Sequence, residues 1–187
     1  MRISVTGHRP KDLFGYDLRH PGYDIMKNFF YKKFDELALS GKFTAISGGA
    51  QGVDQIFAWC AVKWQAKNPG LLHNLLAMPC AGQSSKWPLA GQKSFENLRK
   101  RMDEVIVLQE FYTPDCLDKR NQYMVDNSDI VLAVWTGKAK GGTANCVRYA
   151  DKVGKNIIVL HPETGEVTFG LNREPRLIEQ LSLLPGF

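Results

Sequence analysis

Six short apolar runs, separated by longer amphipathic or polar stretches, leave this chain few ways to fold. The runs are Ile3 to Thr6, Phe43 to Ser47, Leu72 to Met78, Glu104 to Leu108, Ile130 to Trp135 and Asn156 to Leu160. Several are apolar almost without interruption, Ile130-Val131-Leu132-Ala133-Val134-Trp135 above all. A strand with one wet face alternates apolar and polar residues, whereas a continuous run implies burial on both faces, as in a parallel sheet. The stretches between the runs read as helices. Tyr23 to Ser40 carries Ile25, Phe29, Phe30, Phe34, Leu37 and Ala38 on related turns and stops at Gly41. Val53 to Lys67 carries Ile56, Phe57, Cys60, Ala61 and Trp64 and ends at Asn68-Pro69-Gly70. Gln92 to Arg101, Asp115 to Asn127 and Thr143 to Val153 complete the set. This alternation predicts an α/β fold, a doubly wound and mostly parallel sheet with right-handed crossovers and helices on both faces.

The length of 187 residues fits one domain, against a prior of roughly 150 residues per domain. Residues 1–187 are therefore read as a single unit. Within it, 162–187 form a C-terminal extension, turn-rich as far as Arg176 with a short closing helix near Leu177 to Leu183. His161 is read as the residue that ends the sheet. No apolar run approaches the roughly 20 residues of a membrane span, and the opening residues read as a strand, too quickly polar for a signal peptide. Cys60, Cys80, Cys116 and Cys146 form no Cys-x-x-Cys pair, and no His stands at zinc-ligand spacing from them. Neither a disulfide framework nor a structural metal is expected, and reduced thiols in a cytoplasm fit best. The formal net charge of +5 suits a phosphate-bearing ligand, weak nucleic-acid binding or simply a solvated surface.

In open parallel sheets, ligands bind beyond the carboxyl ends of the strands, so the residues after each run carry the chemistry. Thr6-Gly7-His8-Arg9-Pro10 follows the first run. Gly7 allows the backbone to turn beside a ligand, and Arg9 offers a planar fork to phosphate or is a surface side chain on a plain turn. After the second run, Ser47-Gly48-Gly49-Ala50-Gln51-Gly52-Val53-Asp54 places three glycines before a helix, which suits a nest of N–H groups around an anion. This loop is not Gly-x-Gly-x-x-Gly and lacks a P-loop lysine, so no cofactor is named by it. Asp54 caps the helix or holds a ribose hydroxyl. After the third run, Trp87 stacks on a base or packs on the domain edge. Cys80 has no base beside it in any motif and reads as a pocket-wall or buried thiol. Arg120-Asn121 lies on the helix after the fourth run, where Arg120 is a phosphate partner or an ordinary surface arginine. After the fifth run, Gly141-Gly142-Thr143 opens a helix; its backbone, its first N–H groups and the Thr143 hydroxyl can bind phosphate together.

Taken in order, Thr6 to Pro10, Ser47 to Asp54, Gly82-Gln83 with Lys86-Trp87-Pro88, Arg120-Asn121 with Met124-Val125, and Gly141 to Asn145 with Tyr149-Ala150 resemble the SLOG superfamily. The resemblance runs over roughly residues 1 to 160 and is nearest to the YpsA-like branch of bacteria and phages. The DNA-processing protein DprA and the LOG "lysine decarboxylase-like" phosphoribohydrolases are more distant relatives. It implies a Rossmann-like fold that binds nucleotides or nucleotide-derived ligands, as a sensor or a processing protein. LOG hydrolases carry Pro-Gly-Gly-x-Gly-Thr-x-x-Glu, whose Glu works in N-glycosidic cleavage. Here Cys146 occupies the place of that Glu, and the proline is missing. A thiol does not replace a carboxylate beside an oxocarbenium-like centre, so the loop argues for holding a nucleotide more than for cutting one.

Three readings follow. The first is binding of a nucleotide-type small molecule through Gly7, Arg9, Gly48, Gly49, Ala50, Gly52, Asp54, Trp87, Arg120, Asn121, Gly141, Gly142 and Thr143. In it, the loops around Gly49 and Gly142 form two halves of one site. The second is hydrolysis of an N-glycosidic or phosphate bond, with Asp54 as acid or base and Arg120 as phosphate clamp. The third is single-strand nucleic-acid binding with Trp87 stacking and Arg9 on phosphate, although the basic residues are not gathered into a patch. Related folds pair through surface helices, so a homo-oligomer is left open.

Overall fold

The computed structural model describes residues 1–171. At its centre β1 (Arg2–Gly7) pairs in parallel with β2 (Phe43–Ser47) on one side and β5 (Ile130–Val134) on the other. Beyond β2 come β3 (Leu72–Met78) and β4 (Glu104–Val107), and beyond β5 come β6 (Asn156–Leu160) and β7 (Val167–Phe169). The order across the sheet is β4-β3-β2-β1-β5-β6-β7, parallel except for the antiparallel β6–β7 pair.

The continuous apolar runs are explained by the two layers they touch. On one face lie α1 (Pro21–Ala38), α2 (Val53–Lys67) and α3 (Leu89–Arg99). Ile3, Val5, Ala45, Leu132 and Ile158 meet Phe30, Phe34, Phe57 and Trp64 of α1 and α2 there, while Leu76 and Met78 meet Phe95 of α3. Alternate strand residues point the other way. Val131, Ala133, Ile157 and Val159 pack on Cys146, Val147 and Ala150 of α5 (Gly142–Lys152), and Ile46, Leu75 and Ala77 pack on Met124 of α4 (Cys116–Asp126). The strands β1, β2, β3, β5 and β6 therefore alternate between two buried layers and show no polar period, while the short β4 and β7 at the sheet edges are exposed or half-buried.

The aromatic residues lock the first layer. Phe34 lies edge-on to Phe57 at 5.4 Å and Trp64 at 6.1 Å, and the Trp64 indole N–H donates to Asp35 at 2.7 Å. Helix α1 begins where Pro21 presets the first turn and the His20 ring accepts from the Gly22 N–H at 3.1 Å. Helix α3 starts at Leu89, three residues before the sequence reading, because Pro88 ends the preceding turn and serves as its N-cap.

The expectation that His161 ends the sheet is corrected by β7. A turn closed by His161 N–H to the Glu166 carbonyl (2.8 Å) and Gly165 N–H to the His161 carbonyl (2.9 Å) sends the chain back along β6. Val167-Thr168-Phe169 is too short to show a period in sequence. The closing helix expected at 177–183 lies outside the described residues. No helix among the described residues is long and apolar enough to cross a membrane.

Candidate functional site

The sheet order reverses between β1 and β5. After β1 the chain passes through α1 to β2 on one side, and after β5 it passes through α5 to β6 on the other. In open α/β sheets the loops that diverge at such a switch point border a crevice at the carboxyl ends of the strands, where ligands bind. His8, directly after β1, bridges it. The Thr136 N–H donates to His8 Nε2 at 3.1 Å, and Thr136 Oγ1 lies at the same distance from that nitrogen. An accepting Nε2 requires the neutral ring with its proton on Nδ1. Burial pushes the His8 pKa down, and Lys138 adds to the effect while Asp12 opposes it. Beside it Arg9 is half-buried, and its side chain makes no hydrogen bond or ion pair among the described residues.

The loop after β5 is open. Gly141 has φ +112° and is the N-cap of α5, and no side chain among the described residues caps the helix. A Cβ built at Gly141 or Gly142 would meet nothing within 4 Å among the described residues. Thr143, the next residue, is buried. The approach to these glycines is held in shape from both sides. The Trp135 indole N–H donates to the Lys138 carbonyl at 3.1 Å; Arg148 donates to the Ala139 carbonyl and to Asn145 Oδ1, both at 2.6 Å. Lys138 and Lys140 are exposed on the same segment. Uncapped N–H groups, the positive end of a helix and nearby ammonium groups together favour an anion.

The loop after β2 is closed by the protein itself. A Cβ on Gly48 would fall 1.4 Å from Arg120 Nη1 and 2.7 Å from Asp54 Oδ2. On Gly49 (φ +65°) it would fall 2.7 Å from Leu76 and Phe95, and on Gly52 (φ +102°) 2.5 Å from the His8 carbonyl oxygen. Gly7 is a close approach of the same kind, 2.5 Å from Val53. The loop's donors also turn inward. Gly49 N–H reaches Ser47 Oγ at 3.1 Å and Val53 N–H reaches the His8 carbonyl at 3.3 Å. Arg120 Nη1 donates to Asp54 Oδ2 at 3.0 Å, with side-chain exposures of 5% and 8%, so this is an ion pair inside the fold. Arg120 Nε is buried with no hydrogen-bond partner among the described residues.

The profile of the YspA SLOG family matches residues 3–164 of this sequence. The chain belongs to this family. Among its relatives is the uncharacterized SPbeta prophage-derived protein YoqJ of Bacillus subtilis (strain 168), 32% identical over 161 aligned residues that cover 78% of this chain and 93% of YoqJ. A UPF0398 protein of Bacillus cereus is 26% identical over 155 residues, covering 82% and 84% of the two chains. Two solved structures share the fold. TM1055, a structural genomics target, matches with a TM-score of 0.53 at 16% identity over 86% of this chain and 74% of its own. DNA processing protein A (DprA) from Streptococcus pneumoniae matches with a TM-score of 0.57 at 15% identity over 84% of this chain and 49% of its own.

Within this SLOG fold, several residues singled out in sequence lie apart from the crevice. Trp87 stands in the turns between β3 and α3, where its ring meets Phe95 edge-on at 5.3 Å and packs on the α3 layer. Asn121 follows Arg120 on α4, half-buried, and its side chain makes no hydrogen bond among the described residues. Ala50 is buried, and its N–H faces Asp54 Oδ2 at 3.4 Å. Cys146 is on the buried face of α5 at 4% exposure against Thr6, and burial pushes its thiol up to about 11. Cys80 is likewise buried, its thiol raised first by burial and then by Cys116.

Sequence reasoning passed over His8 and Thr136. His8 directly follows the first strand, and that position was the available signal for it. Nothing local marks Thr136, whose partner is 128 residues away.

Proposed function

We propose that this SLOG protein binds a nucleotide or nucleotide-derived small molecule in the crevice between β1 and β5. Its phosphate lies on the N-terminus of α5, against Gly141, Gly142 and Thr143. The observation that carries this reading is the open space around two glycines at an uncapped helix start. Arg9, with no partner among the described residues, is the cation at the other lip of the crevice. Gly7, Gly48, Gly49, Ala50, Gly52, Asp54 and Arg120 form the support, a rigid floor that fixes β1 and α2 beneath the ligand. The site works in a reducing cytoplasm, which four buried free thiols suit.

Binding is favoured over cleavage because the carboxylate singled out for that chemistry and the residue at the LOG glutamate position are both held inside the fold. Asp54 is ion-paired to Arg120, and Cys146 is sealed in the α5 layer. Isothermal titration against nucleoside mono- and diphosphates, ADP-ribose and NAD tests the proposal. Saturable binding of at least one is expected, and no heat at millimolar ligand overturns it. Incubation with nucleoside monophosphates, followed by chromatography, separates the enzymatic reading. Free base released by the protein and lost in Asp54→Asn would establish catalysis instead.

A further inference from the structure

The end of the sheet beside the crevice holds a cavity of about 410 Å3, within the range of small-molecule sites. It begins at Trp135, Thr136 and Gly137, the residues that open the β5–α5 loop. It continues past β6 to the turn and to β7, inside the segment whose sequence reads only as a turn-rich extension.

The β6–β7 register explains why its side chains converge. Val159 stands opposite Thr168. Two positions further along each strand, His161 and Glu166 are joined by their backbones at 2.8 Å, so strand alternation returns both to the Val159 side. Trp135 reaches that side in the same way, two residues after Ala133, and Val159, Ala133 and Trp135 share one apolar cluster. The result is a half-buried indole with a valine beside it and a polar rim of His161, Glu166 and Thr168.

The rim has a defined hydrogen-bonding character. His161 Nδ1 accepts from the Thr164 N–H at 3.3 Å, which leaves Nε2–H as the ring's donor. The Glu166 carboxylate has no hydrogen-bond or ion-pair partner among the described residues and accepts only. The indole is anchored by its N–H on the Lys138 carbonyl, so the ring is set in place. An anchored aromatic face with one acceptor and one donor at its edge complements a planar heterocycle bearing an N–H donor beside a ring nitrogen or carbonyl acceptor. A free sugar phosphate offers no such edge.

We propose that this cavity receives the base of the nucleotide, with Trp135 against the ring and Glu166 accepting from a donor on the base edge. The inference rests on the reading of the β5–α5 loop as the phosphate site. One loop serves both ends of the ligand: its first residues line the base cavity and its last residues, Gly141 and Gly142, face the phosphate.

Titrations with three probes separate the two ideas: adenosine 5′-monophosphate, ribose 5-phosphate, and purine riboside 5′-monophosphate, which keeps the ring but lacks any donor on it. Adenosine monophosphate is expected to bind about tenfold or more tightly than either of the others. It alone is expected to lose that advantage in Glu166→Ala, an exposed position where truncation leaves the backbone turn intact. Both base-bearing probes are expected to change tryptophan fluorescence, and the change disappears in Trp135→Phe. Equal affinity for adenosine monophosphate and ribose 5-phosphate would overturn the base cavity while leaving the phosphate site standing. Unchanged adenosine monophosphate binding in Glu166→Ala would overturn the assignment of Glu166. Binding of none of the probes at millimolar concentration would overturn both proposals.

Discussion

The two glycine-rich loops at the carboxyl ends of β2 and β5 are alike in composition and opposite in surroundings. At Gly48, Gly49 and Gly52 the missing Cβ is replaced by the protein's own atoms, a guanidinium, two apolar side chains and a carbonyl. At Gly141 and Gly142 it is replaced by no atom of the described residues. Glycine in the first loop permits packing, whereas in the second it leaves a helix N-terminus accessible. A Gly-Gly pair before a helix therefore marks a close approach without saying whether the approaching group is protein or ligand.

Substitution at matched positions should break this comparison or sharpen it. The largest effect is expected at Gly48→Ala. Its methyl occupies the place of Arg120 Nη1 and separates a buried ion pair, a loss of about 3–5 kcal/mol that denaturant unfolding would report. Wild-type stability would mean that the loop is not filled as described. Gly141→Ala meets no atom but keeps a backbone at φ +112°, so only strain is expected, about 1–2 kcal/mol in the same assay.

A smaller, pH-dependent effect separates the crevice from both loops. The folded state holds the His8 pKa below its ordinary 6.5, with burial as the main cause. Between that lowered value and 6.5 the unfolded chain binds more protons, so unfolding free energy rises with pH through this window. The contribution is complete above about pH 6.5 and is lost as pH falls. His8→Gln keeps an acceptor for the Thr136 N–H and should flatten the slope in urea midpoints measured across the window. A slope unchanged in the variant would remove His8 as its source.

Much of the scaffold was legible because burial on two faces writes itself into the inner strands as continuous apolar runs. The bounds of β2, β3 and β6 follow directly from their apolar runs, and the doubly wound layout follows from the alternation. β7 was hidden because three residues carry no period. The partnerships that shape the site were hidden for a different reason. Asp54 meets Arg120 across 66 residues and His8 meets Thr136 across 128, distances over which no local spacing rule operates. The glycines themselves were visible, but their opposite surroundings depend on Arg120, Leu76 and Phe95 arriving from other elements.

The most direct test of the central claim is isothermal titration of a nucleoside monophosphate into the wild type and Gly142→Ala, with thermal unfolding of both. Gly142 is the first residue of α5, has an ordinary φ and lies in open space, so the added methyl should leave stability within about 0.5 kcal/mol. The same methyl stands where a phosphate would approach the backbone, and the account predicts that affinity falls about tenfold or more while the melting temperature holds. Equal affinity in the two proteins would contradict it.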